Sequence, residues 1–234
     1  MGKGINGLVL KAMRADDYRL TVTSVSMITD KYVRIGFASG GLLADHPVHP
    51  TQWIRIWFAD AAGKEQQRGY TLVDPNPAEG TFDIEFALHG GPASQWAQSA
   101  VIGDVLEATV LGSKFAVPEK VPSEYLIFGD TASLPAINSL LDAIGDVPAR
   151  VWLEWQFESD KSLPVRNGSS ADVTWLERVQ FGQLLRQQAE QLECKPDAFA
   201  WVACDGATTR SITKTLKTQH NLEKHNIKAQ AYWK

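Results

Sequence analysis

The punctuation of this chain changes once, at Pro118 to Ser123, and that change constrains the fold more than any other feature. Before it, short β-branched and aromatic runs are separated by Gly, Pro, Asp and Asn: Arg19 to Val25, Tyr32 to Phe37, Trp53 to Phe58, Phe82 to Ala87, Val105 to Val110 and Lys114 to Val117. Short strands at this spacing predict an antiparallel β-barrel. Within it, Ala93, Trp96, Ala97 and Ala100 recur at helical spacing after Gly-Gly-Pro, which predicts one short helix from Pro92 to Ala100. After the linker the pattern alternates between strands and helices. Tyr125 to Phe128 and Arg150 to Phe157 have little polar face, as strands of parallel sheets do. Pro135 to Ile144 reads as a helix closed by Gly145, and a long amphipathic helix is expected from Trp175 to Leu192. A strand from Ala198 to Ala203, a helix from Ala207 to Thr218 and a short apolar end around Ala229 to Trp233 complete the chain. The β-α-β-α-β-α order is half of a doubly wound α/β fold. Two domains are therefore expected, 1–117 and 118–234.

Charge and cysteine usage exclude several functions. Lys+Arg number 10 against 12 Asp+Glu up to Val117 and 13 against 15 beyond it, so the net charge of -4 is shared evenly and no basic domain invites nucleic acid. Only Cys194 and Cys204 occur, which excludes a disulfide scaffold and a four-cysteine zinc site. Apolar runs are strand-sized, so no membrane span is expected, and Met1 to Asn6 lacks the apolar core of a secretory signal. A cytoplasmic location follows as the expectation. His46 and His49 stand among prolines without a third ligand, so a loop is expected there and no metal. A serine hydrolase is unsupported, because no G-x-S-x-G elbow occurs. From Asp205 to Lys234 six basic residues face two acids, a surplus suited to a solvated helix face or a docking surface.

Three clusters carry candidate chemistry. Arg68-Gly69-Tyr70-Thr71 reads as extended strand, with Arg68 and Tyr70 on one side and the Thr71 side chain on the other. A flat polyanionic cofactor has uses for all three: a guanidinium for phosphate, a ring as a wall, and the Thr71 hydroxyl or backbone for ring heteroatoms. His89-Gly90-Gly91-Pro92-Ala93-Ser94 leads into a helix whose free N–H groups suit a pyrophosphate, Ser94 adding a hydroxyl, or else capping the helix. Gly129-Asp130-Thr131-Ala132-Ser133 lies at the carboxyl end of the first strand of the α/β domain, where such sheets bind dinucleotides. It is not a G-x-G-x-x-G fingerprint.

In this order, with Trp175-Leu176, Phe199 to Ala203 and Ala231-Tyr232-Trp233, the motifs resemble those of the siderophore-interacting proteins, bacterial ferric-siderophore reductases of the ferredoxin-reductase superfamily. The resemblance implies an FAD-binding barrel, a nicotinamide-binding α/β domain, and electron flow from NADH or NADPH through FAD to a ferric siderophore. It implies that Arg68, Tyr70 and Thr71 hold the flavin ring and ribityl-phosphate, that His89, Gly91, Pro92, Ala93 and Ser94 hold the pyrophosphate, and that Asp130, Thr131 and Ser133 face the flavin. A basic residue on the strand carrying Arg55 would receive an anionic chelate, with Lys114 beside it. Where the family has Asp-Glu-Thr or Asp-Glu-Ser, this chain has Thr131 and Ala132 at the acidic and hydroxyl positions.

The expected partners are a ferric siderophore and NAD(P)H, with the chain acting as a monomer. Two rival readings are a flavin or ferredoxin-type reductase with another acceptor, and a flavin-free carrier of the chelate. Arg55, inside an apolar strand, must face solvent or meet a carboxylate, for which Asp83 and Glu85 are the candidates.

Overall fold

A computed structural model describes residues 16–60, 62–110, 114–166, 168 and 170–233, divided into two compact units, Met1–Ala116 and Val117–Lys234. The Met1 to Asn6 stretch discussed above lies outside the described residues.

The first unit is built from β1 (Asp16–Thr29), β2 (Tyr32–Ala38), a one-turn helix α1 (Leu42–Asp45), β3 (Trp53–Ala59), β4 (Glu65–Thr71), β5 (Val73–Asn76), β6 (Thr81–Ala87), α2 (Pro92–Ser99) and β7 (Val105–Val110). The strands form one antiparallel sheet in the order β4-β3-β7-β1-β2-β6-β5. Alternation sends Ile54, Ile56 and Phe58 of β3, Val33, Ile35 and Phe37 of β2, and Phe82, Ile84 and Phe86 of β6 into one core. The end strands β4 and β5 are not hydrogen-bonded to each other. Yet Tyr70 of β4 reaches Phe86 of β6 at 4.5 Å between ring centroids, so the sheet curls into a half-barrel. Trp96 of α2 plugs the hollow, 5.7 Å from Phe58 and 6.0 Å from Phe86.

Lys114 to Val117, expected as a strand, is irregular. The reason is topological: β7 already pairs with β1 on one side and β3 on the other, so the segment leaving β7 cannot pair with it as a hairpin partner. The Asp83 and Glu85 carboxylates expected for Arg55 are taken by Arg34 instead. Its Nε lies 2.6 Å from Asp83, its Nη1 3.6 Å from Glu85, and its Nη2 pairs with Asp74. Register explains this, because Arg34 stands directly opposite Glu85 whereas β3 is four strands away from β6.

The second unit contains β8 (Tyr125–Asp130), α3 (Leu134–Ile144), β9 (Ala149–Trp155), β10 (Ala171–Glu177), α4 (Gln183–Gln191), β11 (Phe199–Ala203), α5 (Gly206–Thr218) and β12 (Ile227–Ala229). Its sheet is wholly parallel, ordered β10-β9-β8-β11-β12, so strand order reverses between β8 and β11. Leu126 and Phe128 pack with Leu185 of α4 and Ile212 of α5 on one face. Gly129 points to the opposite face, where an added Cβ would lie 2.4 Å from Ile137 of α3. Both faces are covered, as an α/β sheet requires.

The expected helix from Trp175 to Leu192 is two elements. Ala171–Glu177 is a strand running parallel to β9, and only Gln183–Gln191 is helical. Val173, Thr174 and Trp175 are strand formers, and the positive φ angles of Gln180 (39°), Phe181 (56°) and Gly182 (76°) interrupt the chain before the helix starts. The β9 to β10 crossover carries a short 3-10 helix, Glu158–Ser162.

Candidate functional site

In the first unit the sequence candidates lie in two places, the end of β4 and the start of α2. Arg68 is exposed, and its guanidinium donates to the Gln67 carbonyl (2.7 Å) and to Gln66 Oε1 (2.8 Å), with no carboxylate partner among the described residues. Tyr70 is half-buried against Phe86 and Phe58, and burial pushes its phenol above the ordinary range, so it stays protonated. Thr71 is 4% exposed, and its Oγ1 is buried without a hydrogen-bond partner. A buried hydroxyl left unmatched is costly, which makes this position a natural acceptor of a ligand contact.

The turn into α2 is held by its own side chains. His89 N–H donates to Ser94 Oγ (2.7 Å), and Gly91 N–H donates to His89 Nδ1 (3.1 Å). At Gly91 an added Cβ would lie 2.7 Å from the His89 ring, so any side chain there would displace that ring. Pro92 opens the helix, and no side chain caps it, so the N–H groups of Ala93 and Ser94 are left for an anion. Gly90 has open space where a Cβ would stand. The uncapped amides, the open glycine, the Thr71 hydroxyl and the unneutralised Arg68 are groups of the kind that hold phosphates and ring heteroatoms.

Arg55 stacks on Trp53, its Cζ 5.0 Å from the ring centroid, with Gly69 of β4 and Thr109 of β7 beside it in register. Among the described residues it has no carboxylate partner. Lys114 is exposed in the irregular segment after β7, and nothing among the described residues joins it to Arg55. The turn residues Leu111 to Ser113 lie outside the described residues.

In the second unit Asp130 and Ser133 are buried and bound to each other. Ser133 N–H donates to Asp130 Oδ1 (3.0 Å), Asp130 N–H donates to Ser133 Oγ (2.9 Å), and the Ser133 hydroxyl donates to the Asp130 carbonyl. Thr131, between them, is partly exposed. Trp233 Nε1 donates to Asp130 Oδ2 at 2.7 Å. Around this pair the sheet collects charges that sequence reading did not single out. Glu154 stands opposite Asp130 in the β8–β9 register. Arg178 lies 3.3 Å from Glu154 and 3.5 Å from Asp205, and its Cζ is 4.3 Å from the Trp233 ring centroid. Asp205 caps α5 through Ala207 N–H and Thr208 N–H. Burial raises Asp130 despite its hydrogen bonds, and burial raises Glu154 to about 7 despite Arg178. Asp205 feels desolvation too, but the Thr208 and Ala207 bonds and Arg178 hold it below the carboxylate range. An acid near the end of an apolar strand was the available signal for Glu154. Arg178 was hidden because its segment read as helix.

Residues 18–111 match the profile of the siderophore-interacting FAD-binding domain, and residues 122–234 match that of the siderophore-interacting protein. The chain belongs to the siderophore-interacting protein family. It carries that family's FAD-binding domain in its half-barrel unit. It is similar to the mycobactin import ATP-binding/permease protein IrtA of Mycolicibacterium smegmatis, at 35% identity over the whole chain, and spans 28% of the length of that relative. It is also similar to the ferric acinetobactin reductase of Acinetobacter baumannii, at 23% identity over 94% of this chain and 79% of that one. A siderophore utilization protein from T. fusca shares the fold with a TM-score of 0.82 at 20% identity, covering 94% of this chain and 93% of the other. Among the described residues, no helix is long and apolar enough to cross a membrane.

Proposed function

We propose that the chain is a cytoplasmic reductase that passes electrons from a nicotinamide dinucleotide, through FAD, to the iron(III) of a siderophore, so that iron(II) leaves the weakened chelate. Residues 1–117 are the flavin-binding part and 118–234 the nicotinamide-binding part. The reading is carried by the end of β4, where an unneutralised guanidinium and a buried, unpartnered hydroxyl occur within four residues of a domain of the FAD-binding family. It is supported by the similarity to a protein named a ferric acinetobactin reductase. FAD supplies the junction between a two-electron donor and a one-electron acceptor.

The chain's own residues bind and orient. Arg68 exchanges two neutral acceptors for a phosphate, a charge-assisted contact. The amides of Ala93 and Ser94 lie at the positive end of α2, and Gly90 leaves room for a pyrophosphate to approach them. Thr71 offers its hydroxyl to a ring heteroatom, and Tyr70 remains a neutral wall because burial keeps its phenol protonated. In the second unit, the carboxyl ends of β8 and β11 flank the order reversal at which parallel sheets take dinucleotides, with Thr131 and the Asp130–Ser133 turn beside it. Arg55 and Lys114 supply local positive charge for an anionic chelate in a chain of net charge -4. Electron transfer to a chelated iron asks for proximity, so no acid or base is required.

The test is anaerobic. The FAD-loaded chain is bleached by a nicotinamide donor, and the flavin band is followed as ferric chelates restore it. Arg55→Ala and Lys114→Ala, singly and together, should slow an anionic chelate and abolish its salt dependence while leaving a neutral chelate nearly unchanged. Equal effects on both chelates would make Arg55 structural, and a failure of any ferric chelate to restore the band would end the reductase reading.

A further inference from the structure

In a chain of net charge -4, helix α5 carries one arginine, two lysines and no acid. Arg210, Lys214 and Lys217 stand at i, i+4 and i+7, so they share one face of the helix in a row about 10 Å long. All three are exposed, and none has a carboxylate partner among the described residues. The two acids in this part of the chain are engaged elsewhere: Asp205 accepts from the α5 amides and faces Arg178, and Glu223 pairs with His225. Like charges at i,i+3 and i,i+4 destabilise a helix. Lys217, in the last turn, complements the helix dipole, but Arg210 and Lys214 do not. Within the unit the row weakens α5 and gains no partner in return.

The row also lines a cavity. With Gly206, Ala229 and Ala231, the three cations border about 480 Å³ beside α5 and the end of β12, within the roughly 300–1,000 Å³ of ligand clefts. The Arg210 guanidinium lies against Gly206, where an added Cβ would be 3.2 Å from Nη1. The hydroxyls of Thr213 and Thr218, on the same wall, donate to the Thr209 and Lys214 carbonyls, so the donors left for a ligand are the charged groups. Three observations narrow the occupant. No exposed large apolar side chain lies on α5 among the described residues, so this face lacks the anchor with which a basic helix enters a lipid surface. Residues 118–234 as a whole hold 13 Lys+Arg against 15 Asp+Glu, and that surplus of acid opposes an extended polyanion reaching beyond the row. A compact anion with several charges meets the row alone.

We propose that this cavity is a polyphosphate site, which takes a short chain of linked phosphates, free or at the end of a nucleotide. Arg210 presents its fork to one phosphate, and Lys214 and Lys217 act as point charges along the rest. Occupancy relieves the repulsion within the row, so the anion stabilises the folded protein by linkage. The site goes beyond the reductase reading, because no residue given there to flavin, donor or chelate lines the cavity.

Calorimetric titration of the FAD-loaded chain with sodium tripolyphosphate, with ATP and with orthophosphate tests it, alongside melting curves on the same samples. Tripolyphosphate should bind one to one, at least about tenfold more tightly than orthophosphate, should lose affinity as salt is added, and should raise the melting point. Binding of tripolyphosphate alone assigns a free chain, and equal or tighter binding of ATP assigns a nucleotide-borne one; both support the site. Arg210→Gln, Lys214→Gln and Lys217→Gln combined should cost about tenfold or more in affinity, and Lys214→Gln alone severalfold. The triple variant should melt no lower than the parent, because removing the row removes its repulsion. Lys64→Gln, at an exposed lysine of the first unit, should change neither quantity. Tripolyphosphate binding no tighter than orthophosphate, an equal loss in Lys64→Gln, or displacement by saturating NAD+ overturns the proposal. So does a lower melting point of the triple variant, which would make the row structural. Adsorption to phosphatidylserine vesicles that outcompetes tripolyphosphate and is lost in the triple variant overturns it in favour of a lipid surface.

Discussion

The polar groups of the two units are arranged in opposite ways. At the end of β4 and the start of α2, groups are left open: the Thr71 hydroxyl has no partner, α2 has no cap, and Arg68 has no counter-charge among the described residues. At the carboxyl edge of the second sheet, opposite charges are paired, with Arg178 between two carboxylates and Trp233 donating to Asp130, although Glu154 Oε1 and Asp205 Oδ2 have no hydrogen-bond partner. Open groups cost the empty fold something and return it on binding; a closed network contributes to the fold whether or not a ligand is present. Substitutions in the first region should therefore register in cofactor affinity, and substitutions in the second in stability.

Removing Arg178 is the strongest way to break that contrast. Arg178→Ala leaves Glu154 and Asp205 without their shared cation, and loss of one partner of a buried pair costs about 3–5 kcal/mol. Urea unfolding should show that loss, and an unchanged midpoint would mean that the network is not closed in solution. A second effect is linked to pH. Glu154 is raised from 4.5 to about 7 by burial, so the native state holds a proton that the unfolded chain has released across that interval. Stability should fall as pH rises from about 4.5 to about 7, by on the order of 3 kcal/mol, and level off above it. Glu154→Gln should flatten this slope; a slope that survives the substitution assigns it to another group. The smallest effects belong to the first region. Arg68→Ala should weaken FAD binding by about tenfold or more, the worth of one charge-assisted contact. Thr71→Val should weaken binding severalfold without lowering the unfolding midpoint, because its hydroxyl has no partner to lose. Fluorescence titration with FAD and a melting curve on the same samples separate the two, and a Thr71→Val protein that binds FAD normally would remove the hydroxyl from the site.

Much of this was legible from residue pattern because local chemistry and long-range packing agree. The apolar alternation of Trp53 to Phe58 and of Phe82 to Ala87 produced strands β3 and β6, and Gly-Gly-Pro did open a helix. Reading failed where the deciding partner is distant. Trp175-Leu176 has helical neighbours in sequence, but β10 forms because β9 offers a parallel edge, and no local signal announces that edge. Lys114 to Val117 has strand composition, but β7 before it is paired on both sides and offers it no partner. Asp130 and Trp233 stood in motifs the sequence offered, but Glu154 and Arg178 did not stand out for the same reason: the cluster joins residues far apart in the chain, Asp130 and Trp233 hydrogen-bonding across 103 positions. By contrast, Arg68 to Thr71 and His89 to Ser94 are contiguous, so their residue types alone pointed to them.

The crossover from β9 to β10 has a consequence for how the second unit breathes. With a short 3-10 turn in place of a packed helix, β10 closes the sheet as an edge strand whose seven residues are all at least partly exposed, whereas every residue of β8 and β11 is buried. Amide hydrogens of β10 can then exchange with solvent through local opening, while those of β8 and β11 wait for the unit to unfold as a whole. Glu177 and Arg178 lie at the end of that edge strand. Deuterium uptake will mark this margin of the sheet before its buried centre, and anything that binds across its carboxyl edge will slow it there.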